Sequence, residues 1–124
     1  FLCGDMEYPP SSKIHKSAVG TEEWVSWEKT DSAAETAEQL ASQGVQIIAV
    51  EQHPTSIPYT LLPKRLKLPV AIVIGNETDG VSKEALKLAD VVVELPMFGV
   101  NKSFNVWGSA AIIAYKIIEY LERP

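Results

Sequence analysis

Three short segments of the chain are apolar at nearly every position, and this pattern constrains the fold more than any other feature. They read VQIIAV at 45–50, VAIVI at 70–74 and VVVEL at 91–95. Strands that are apolar along their whole length are buried on both faces, which is typical of a parallel sheet. Because segments with a helical pattern alternate with these strands, the sequence predicts an α/β protein, with a parallel sheet and helices on both of its faces.

The helices that precede two of these strands are marked by signals at their ends. Ser32 and Glu35 form a capping-box pair that begins a helix, and Gly44 ends it. Ser82 is placed to cap a shorter helix that extends to about Ala89. Each predicted helix leads directly into an apolar strand, as the alternation in an α/β protein requires.

The last long helix is predicted from about Asn105 to Glu122, since no proline interrupts this segment. One apolar stripe at helical spacing comprises Val106, Ala110, Ile113, Ile117 and Tyr120. The stripe is widened beyond one face by Ile112, Ala114 and Ile118. Because two surfaces are needed to bury such a helix, we expect it to pack on the sheet and also against a partner chain.

The remaining segments carry little regular pattern. Residues 5–18 and the proline-containing residues 52–69 are predicted to be loops with at most a turn. Val19–Glu28 is predicted to hold a short extended segment. The apolar run Phe1–Cys3, followed by Gly4, predicts the tail of a strand.

Composition narrows the classes of protein to consider. A length of 124 residues suits one domain, and a net charge of −5 argues against a protein that coats nucleic acid by charge alone. No apolar run approaches the roughly 20 residues that span a bilayer, so we expect no membrane segment. The single cysteine, Cys3, cannot form an internal disulfide, and no secretory signal is recognisable. These features predict a cytoplasmic protein.

The turn Gly75–Gly80, with the sequence GNETDG, is the first segment that could carry chemistry. It follows the strand at 70–74, and ligands collect at the carboxyl ends of strands in open α/β sheets. A phosphate loop needs Lys and then Ser or Thr after its last glycine, whereas Val81 and Ser82 follow here, and the G-x-G-x-x-G fingerprint is also absent. On these residues alone, an ordinary strand-to-helix turn with an exposed Glu77 is an equal alternative.

The second such segment, LPMFGVNKSFN at 95–105, also follows a strand and leads into the last helix. Ser103 or Asn105 could serve as the N-cap of that helix. Capping accounts for one of these two residues. It does not account for the other, nor for the Pro-Met-x-Gly run before them.

Together the two segments resemble the SpoU (TrmH) family of RNA ribose 2′-O-methyltransferases, within the SPOUT superfamily. The family pattern G-N-E-x-x-G is matched at 75–80, and the pattern I-P-M-x-G-x-x-x-S-L-N-V-S is matched by residues 95–106. The stretch HKSAVG at 15–20 is similar to a weaker family pattern. The resemblance covers essentially the whole chain.

The resemblance implies a definite fold and activity. Members fold as a parallel sheet whose C-terminal part is tied into a deep trefoil knot, an exception to unknotted topology. They bind S-adenosylmethionine in the knot and form the active site across a homodimer. The resemblance therefore implies methyl transfer from S-adenosylmethionine to a ribose 2′-hydroxyl of tRNA or rRNA.

The resemblance also implies roles for individual residues. The residues expected to line the cofactor pocket are Gly75, Leu95 and Phe104, with the strand end near Glu51 as a weaker candidate. The residues expected to form the catalytic and substrate-orienting set are Glu77, Ser103 and Asn105. For Glu77 there is an alternative, structural role, in which its carboxylate accepts backbone amides and orders the loops.

Two departures from the family pattern favour a second hypothesis. The family's first motif, an Asn followed by an Arg, has no match, and neither Arg65 nor Arg123 occupies its place. We therefore expect residues 1–124 to form a SpoU-type domain without its N-terminal strand and first motif, inactive or badly impaired by itself. Trp107 stands where the family usually has a small serine. The alternative is a catalytically impaired RNA-binding or assembly module that retains the knotted fold.

Other conspicuous side chains are predicted to have ordinary roles. The aromatic residues predicted to pack in apolar surroundings, rather than to stack on RNA bases, are Trp24, Trp27 and Tyr59. His15 and His53 lack companions at ligand spacing, so no metal site is predicted.

Overall fold

The computed structural model describes residues 1–122, and its named strands all pair in parallel. In chain order the elements are β1 (Leu2–Cys3), α1 (Ser12–Ala18), β2 (Lys29–Thr30), α2 (Ala33–Ser42), β3 (Gln46–Val50), β4 (Ile57–Pro58), β5 (Val70–Ile74), α3 (Lys83–Leu88), β6 (Val91–Glu94) and α4 (Val106–Leu121). Short 3₁₀ helices occupy Thr21–Glu23 and Tyr59–Arg65. The predicted α/β class is confirmed, with the strands divided between two sheets.

The larger sheet has the strand order β4–β6–β3–β5, and the smaller one pairs β1 with β2. In the larger sheet, strand β3 is hydrogen-bonded to β5 on one side and to β6 on the other. Ile47, Ile48 and Ala49 in β3 are completely buried. Strand β3 is therefore the centre of the hydrophobic core, as its uninterrupted apolar sequence requires.

Helices cover both faces of the larger sheet. On one face, Ile48 and Val93 pack with Leu62 of the second 3₁₀ helix and with Ile113 and Ile117 of α4. On the other face the buried cluster consists of Ala49, Val81 and Ala85, against which Ala34 of α2 packs. The two-sided cover that the apolar strands predict is thus confirmed.

The predicted helix ends are also confirmed. Ser32 Oγ accepts a hydrogen bond from the Glu35 amide at 3.3 Å, and Ser82 Oγ accepts one from the Ala85 amide at 3.2 Å. After α2 the backbone reaches φ = +82° at Gly44, a conformation that glycine adopts without steric penalty.

The structure corrects three predictions for irregular segments. Residues 5–18 contain the two-turn helix α1, and Val19–Glu28 holds a 3₁₀ helix instead of an extended segment. Residues 52–69 contain β4 and the second 3₁₀ helix. That helix is held by the buried Gln46, whose Nε2 donates to the Arg65 carbonyl and whose Oε1 accepts from the Lys67 amide, both at 2.8 Å. Such long-range bonds leave no local pattern in the sequence.

The aromatic residues differ in their surroundings. Tyr59 packs against the hydrophobic core, as predicted. The prediction of packing is wrong for Trp24, whose surface is 84% exposed in this chain. Trp27 is 42% exposed and lies beside Tyr8, with the ring centroids 6.2 Å apart.

Residues 1–122 contain neither a candidate membrane span nor a candidate metal cluster. No helix in this range is long and apolar enough to cross a membrane. No group of three or more His, Cys, Asp or Glu side chains within it is arranged to hold a metal ion.

Candidate functional site

The carboxyl ends of β3, β5 and β6 meet at one edge of the larger sheet. Because β5 and β6 flank β3 in parallel, the loops that follow these strands converge there, and they enclose an open cleft of about 980 Å³. The predicted site residues that line this cleft are Gly75, Glu77, Leu95, Ser103, Phe104 and Asn105, together with Glu51. The fold therefore brings both sequence motifs to the same place.

The turn at 75–80 is closed by its own polar groups. Asn76 Oδ1 accepts hydrogen bonds from the amides of Thr78 at 2.9 Å and Asp79 at 2.6 Å, and the Asn76 carbonyl accepts from the Gly80 amide at 3.0 Å. A Cβ atom on Gly75 would overlap the backbone of Gly80 and Val81. The first glycine of the motif is therefore required by the close approach of two backbone segments.

Glu51 orders the far end of this turn. Its Oε2 accepts a hydrogen bond from the Val81 amide at 3.0 Å, and its carboxylate fills the space that a Cβ on Gly80 would occupy. Gly80 also has φ = +69°, which favours glycine. By contrast, Glu77 is exposed, and it makes no hydrogen bond within the part of the chain described. The loop-ordering role considered for Glu77 is thus performed by Asn76 and Glu51.

Asn105 is the residue that caps α4. Its Oδ1 accepts hydrogen bonds from the amides of Trp107 at 2.9 Å and Gly108 at 3.3 Å. Ser103, the other candidate for the cap, is exposed on the cleft wall. The two polar residues of the motif therefore differ in role, because only one of them sits at the helix end.

Phe104 and Leu95 supply apolar surface on the same side of the cleft. The ring of Phe104 is about half exposed, and a Cβ on Gly108 would come within 2.5 Å of its Cε1. Leu95 lines the cleft and also packs against the core below it. The glycine in the first turn of α4 therefore makes room for an aromatic ring at the cleft wall.

Sequence reasoning missed Gln52, which also lines the cleft. Its Nε2 donates a hydrogen bond to the Lys102 carbonyl at 2.6 Å. The available signal was its position, since it is the second polar residue after a buried strand whose carboxyl end faces a binding edge.

Charges of both signs line the cleft. The acidic side chains are Glu51, Glu77, Asp79 and Glu94, and the basic ones are Lys83 and Lys87. Glu94 Oε2 accepts a hydrogen bond from the Ser56 hydroxyl at 2.6 Å. No arginine is among the described residues of the lining: Arg65 lies at the end of a 3₁₀ helix elsewhere, and Arg123 lies outside the described residues.

A second cavity, of about 740 Å³, lies near the N-terminal helix α1. His15 and Glu22 line it, and His15 Nδ1 is 2.6 Å from Glu22 Oε1. None of the predicted site residues contacts this cavity, so the cleft at the sheet edge remains the candidate site.

The fold and the cleft define an α/β protein whose candidate site is built at the sheet edge from the turn Gly75–Gly80 and the capped start of α4. Residues 1–115 match the SpoU rRNA Methylase family, and the chain belongs to that family. The family membership predicted from the two motifs is thereby confirmed.

Curated relatives carry names for RNA methylation. The chain is 32% identical over 105 residues to the tRNA (guanosine(18)-2′-O)-methyltransferase of Borreliella burgdorferi. The matched region covers 85% of this chain and 47% of that protein. It is 26% identical over 114 residues to the 23S rRNA (guanosine-2′-O-)-methyltransferase RlmB of Vibrio vulnificus, with coverages of 92% and 45%. The chain thus spans about half the length of these relatives.

Solved structures show the same fold. The TrmH/SpoU tRNA modifying enzyme of Aquifex aeolicus is similar with a TM-score of 0.82 and 27% identity, over 98% of this chain and 62% of that one. The AdoMet-bound rRNA methyltransferase of Sinorhizobium meliloti is similar with a TM-score of 0.86 and 21% identity, over 98% of this chain and 46% of that one. At 21% identity the second likeness concerns the fold alone.

Proposed function

We propose that residues 1–124 belong to a methyltransferase domain, and that this domain transfers a methyl group from S-adenosylmethionine to a ribose 2′-hydroxyl of tRNA or rRNA. One observation carries this proposal: residues 75–80 of the first family motif, and Leu95 with residues 103–106 of the second, line a single cleft. Membership of the SpoU family and the names of the curated relatives support it.

The residues of the cleft fit S-adenosylmethionine. A volume of about 980 Å³ suits a ligand of this size. Ile74, Leu86 and Phe104 offer apolar surface for an adenosine, and the acidic and basic side chains of the cleft lining suit an amino-acid zwitterion. When bound, the cofactor supplies an electrophilic methyl group on a sulfonium.

The protein must position a poorly nucleophilic ribose hydroxyl and help it lose a proton. The exposed carboxylate of Glu77 is a candidate acceptor for this proton, and the exposed Ser103 hydroxyl is a candidate for orienting the ribose. Asn105 has its Oδ1 engaged in capping α4, so only its Nδ2 is left to donate to RNA. The proposed catalytic set is Glu77, Ser103 and Asn105.

We further propose that the segment after β6 is threaded into a trefoil knot. Its support is the SpoU family and the high TM-scores to family structures. Stretching the chain by its two ends in a force experiment is the test. A tightened knot retains residues, so the fully unfolded chain should be shorter than its contour length; full extension would contradict the knot.

We also propose that the chain forms a homodimer and that it is located in the cytoplasm. Helix α4 buries Ile113 and Ile117, but it exposes 79% of Trp107, 74% of Tyr115 and 44% of Ile118. A second apolar face of this kind favours a partner chain.

The unpaired thiol of Cys3 supports a reducing compartment.

The impaired RNA-binding or assembly module remains the second candidate. The observation that favours it is the cleft lining, which contains no arginine among the described residues. Such a module would bind RNA without methylating it, and it would not need S-adenosylmethionine.

Calorimetric titration with S-adenosylmethionine and a transfer assay with labelled cofactor test the proposal. We expect binding at one site per chain, and weaker binding after Phe104→Ala, which removes the ring from the cleft. Phe98→Ala is the matched control, since Phe98 is 94% exposed and does not line the cleft. RNA binding without cofactor binding would favour the second candidate, and absence of both would contradict the proposed function.

A further inference from the structure

Two consecutive residues at the end of β3 reach to opposite walls of the cleft. Glu51 Oε2 accepts a hydrogen bond from the Val81 amide at 3.0 Å, and Gln52 Nε2 donates one to the Lys102 carbonyl at 2.6 Å. The partners lie 30 and 50 residues further along the chain. One partner follows the glycine turn, and the other lies in the loop before α4.

The contact made by Glu51 is closely fitted. Its Oε1 accepts a hydrogen bond from the Gln52 amide at 2.9 Å, so both carboxylate oxygens have amide donors. Gly80 leaves no gap beside the carboxylate, and the next side chain, Val81, is only 6% exposed. Hydrogen bonds to an ionised acceptor are stronger than neutral ones. Removal of the carboxylate would therefore release the end of the turn.

The contact made by Gln52 anchors a segment with few other restraints. Within residues 1–122, its bond to Lys102 is the one hydrogen bond recorded between residues 96–104 and the rest of the chain. Ser103 and Phe104, which line the cleft, directly follow this anchor. A single side-chain donor thus ties this loop to the end of β3, directly before the two residues that line the cleft.

We propose that Glu51 and Gln52 are positioning residues that set the separation of the two motif loops, and through it the affinity for S-adenosylmethionine. This inference rests on the proposed function. The two residues have opposite requirements: the side chain at 51 must accept hydrogen bonds, and the side chain at 52 must donate one. This difference makes conservative exchanges informative.

Calorimetric titration of the full chain with S-adenosylmethionine is the first test. We expect Glu51→Ala and Gln52→Ala each to weaken binding by roughly tenfold. Glu51→Gln should lose less affinity than Glu51→Ala, because its one amide oxygen can still accept from Val81, although its amide nitrogen cannot accept from Gln52. Gln52→Glu should lose as much as Gln52→Ala, because a carboxylate cannot donate.

The chain contains a matched control in a second Glu-Gln pair. Glu38 and Gln39 are exposed on α2, away from the cleft lining. Glu38→Ala and Gln39→Ala should bind S-adenosylmethionine as the wild type does. Equal affinity for the wild type, Glu51→Ala and Gln52→Ala would overturn the proposal.

Amide hydrogen exchange without any ligand is the second test. Glu51→Ala should accelerate exchange at Val81, whereas Gln52→Ala should not, and both variants should stay folded with a cooperative unfolding transition. Unchanged exchange at Val81 in Glu51→Ala would contradict the proposed anchoring. If the wild type does not bind S-adenosylmethionine, the proposed function fails, and the exchange result still decides whether Glu51 holds the turn.

Discussion

Gly75 lies against Gly80, backbone to backbone, across the turn that follows β5. A side chain on Gly75 would overlap the carbonyl group of Gly80, so this turn can exist only with glycine at its start. The same contact directs the chain from the edge of the sheet into α3. A motif that sequence comparison treats as a signature of function is thus also a steric requirement of the cleft wall.

Gly75→Ala tests this requirement. We expect it to destabilise the fold by about 1–3 kcal/mol and to weaken S-adenosylmethionine binding, because the turn must open to accommodate the methyl group. Gly99→Ala is the matched control in the other loop, where a Cβ would meet no atom within 4 Å. Urea unfolding and calorimetry measure the two effects. Equal stability of both variants and the wild type would contradict the steric argument.

Asn105→Ala should destabilise the protein by about 1 kcal/mol, since two amides at the start of α4 lose their acceptor. Asn105→Asp should restore the stability, because aspartate caps helices as well as asparagine does. Urea unfolding gives the stabilities, and a transfer assay on Asn105→Asp separates the two roles. Full transfer by Asn105→Asp would show that the Nδ2 group is not needed, and would remove Asn105 from the proposed catalytic set.

Trp107→Ser should weaken self-association while the monomer stays folded. The side chain is 79% exposed on the outer face of α4, so a smaller residue removes apolar contact surface without opening the core. Trp24→Ser is a matched control, since Trp24 is 84% exposed on a different part of the surface. Light scattering at micromolar concentration measures the mass. A monomeric wild type would refute the proposed dimer.

Glu22 should contribute to the pH dependence of stability. A hydrogen bond from its own backbone amide, and next the bond with His15, lower the pKa of this carboxyl below its ordinary value of 4.5. Because the folded state favours the ionised form, the stabilisation is present above about pH 4.5 and is lost as the pH falls through the lower, folded-state pKa.

Glu22→Gln should therefore flatten the acid side of the stability profile relative to the wild type. Urea unfolding from about pH 6 to about pH 3 measures this difference. The neighbouring substitution Glu23→Gln is the control, and it should leave the profile close to that of the wild type. Parallel profiles for the wild type and Glu22→Gln would show that the lowered pKa has no effect on folding.

Much of the fold could be predicted from local patterns. Strands β3, β5 and β6 follow from runs of apolar residues, and helices α2 and α3 begin where Ser32 and Ser82 supply cap oxygens. These signals are readable because each depends on neighbours within four residues. The same holds for the two family motifs, whose residues are contiguous or nearly so.

Other features depend on contacts between distant parts of the chain. The two-residue strand β4 is too short to show a period, and it exists because Ile57 pairs with Val93. The 3₁₀ helix at 59–65 contains Pro63, which reads as a loop residue, and it is stabilised by the burial of Leu62. Asn105 caps α4 in the structure, and Ser103 does not.

The amino-acid sequence by itself determined the class of fold, the positions of the main strands and helices, and the family. Only the tertiary structure showed that Glu51 and Gln52 join the two motif loops, and that Asn76, rather than Glu77, orders the glycine turn. The physical reason is distance along the chain. Local patterns encode hydrogen bonds between near neighbours, whereas the partners of Glu51 and Gln52 lie 30 and 50 residues away and meet them only when the parallel strands assemble.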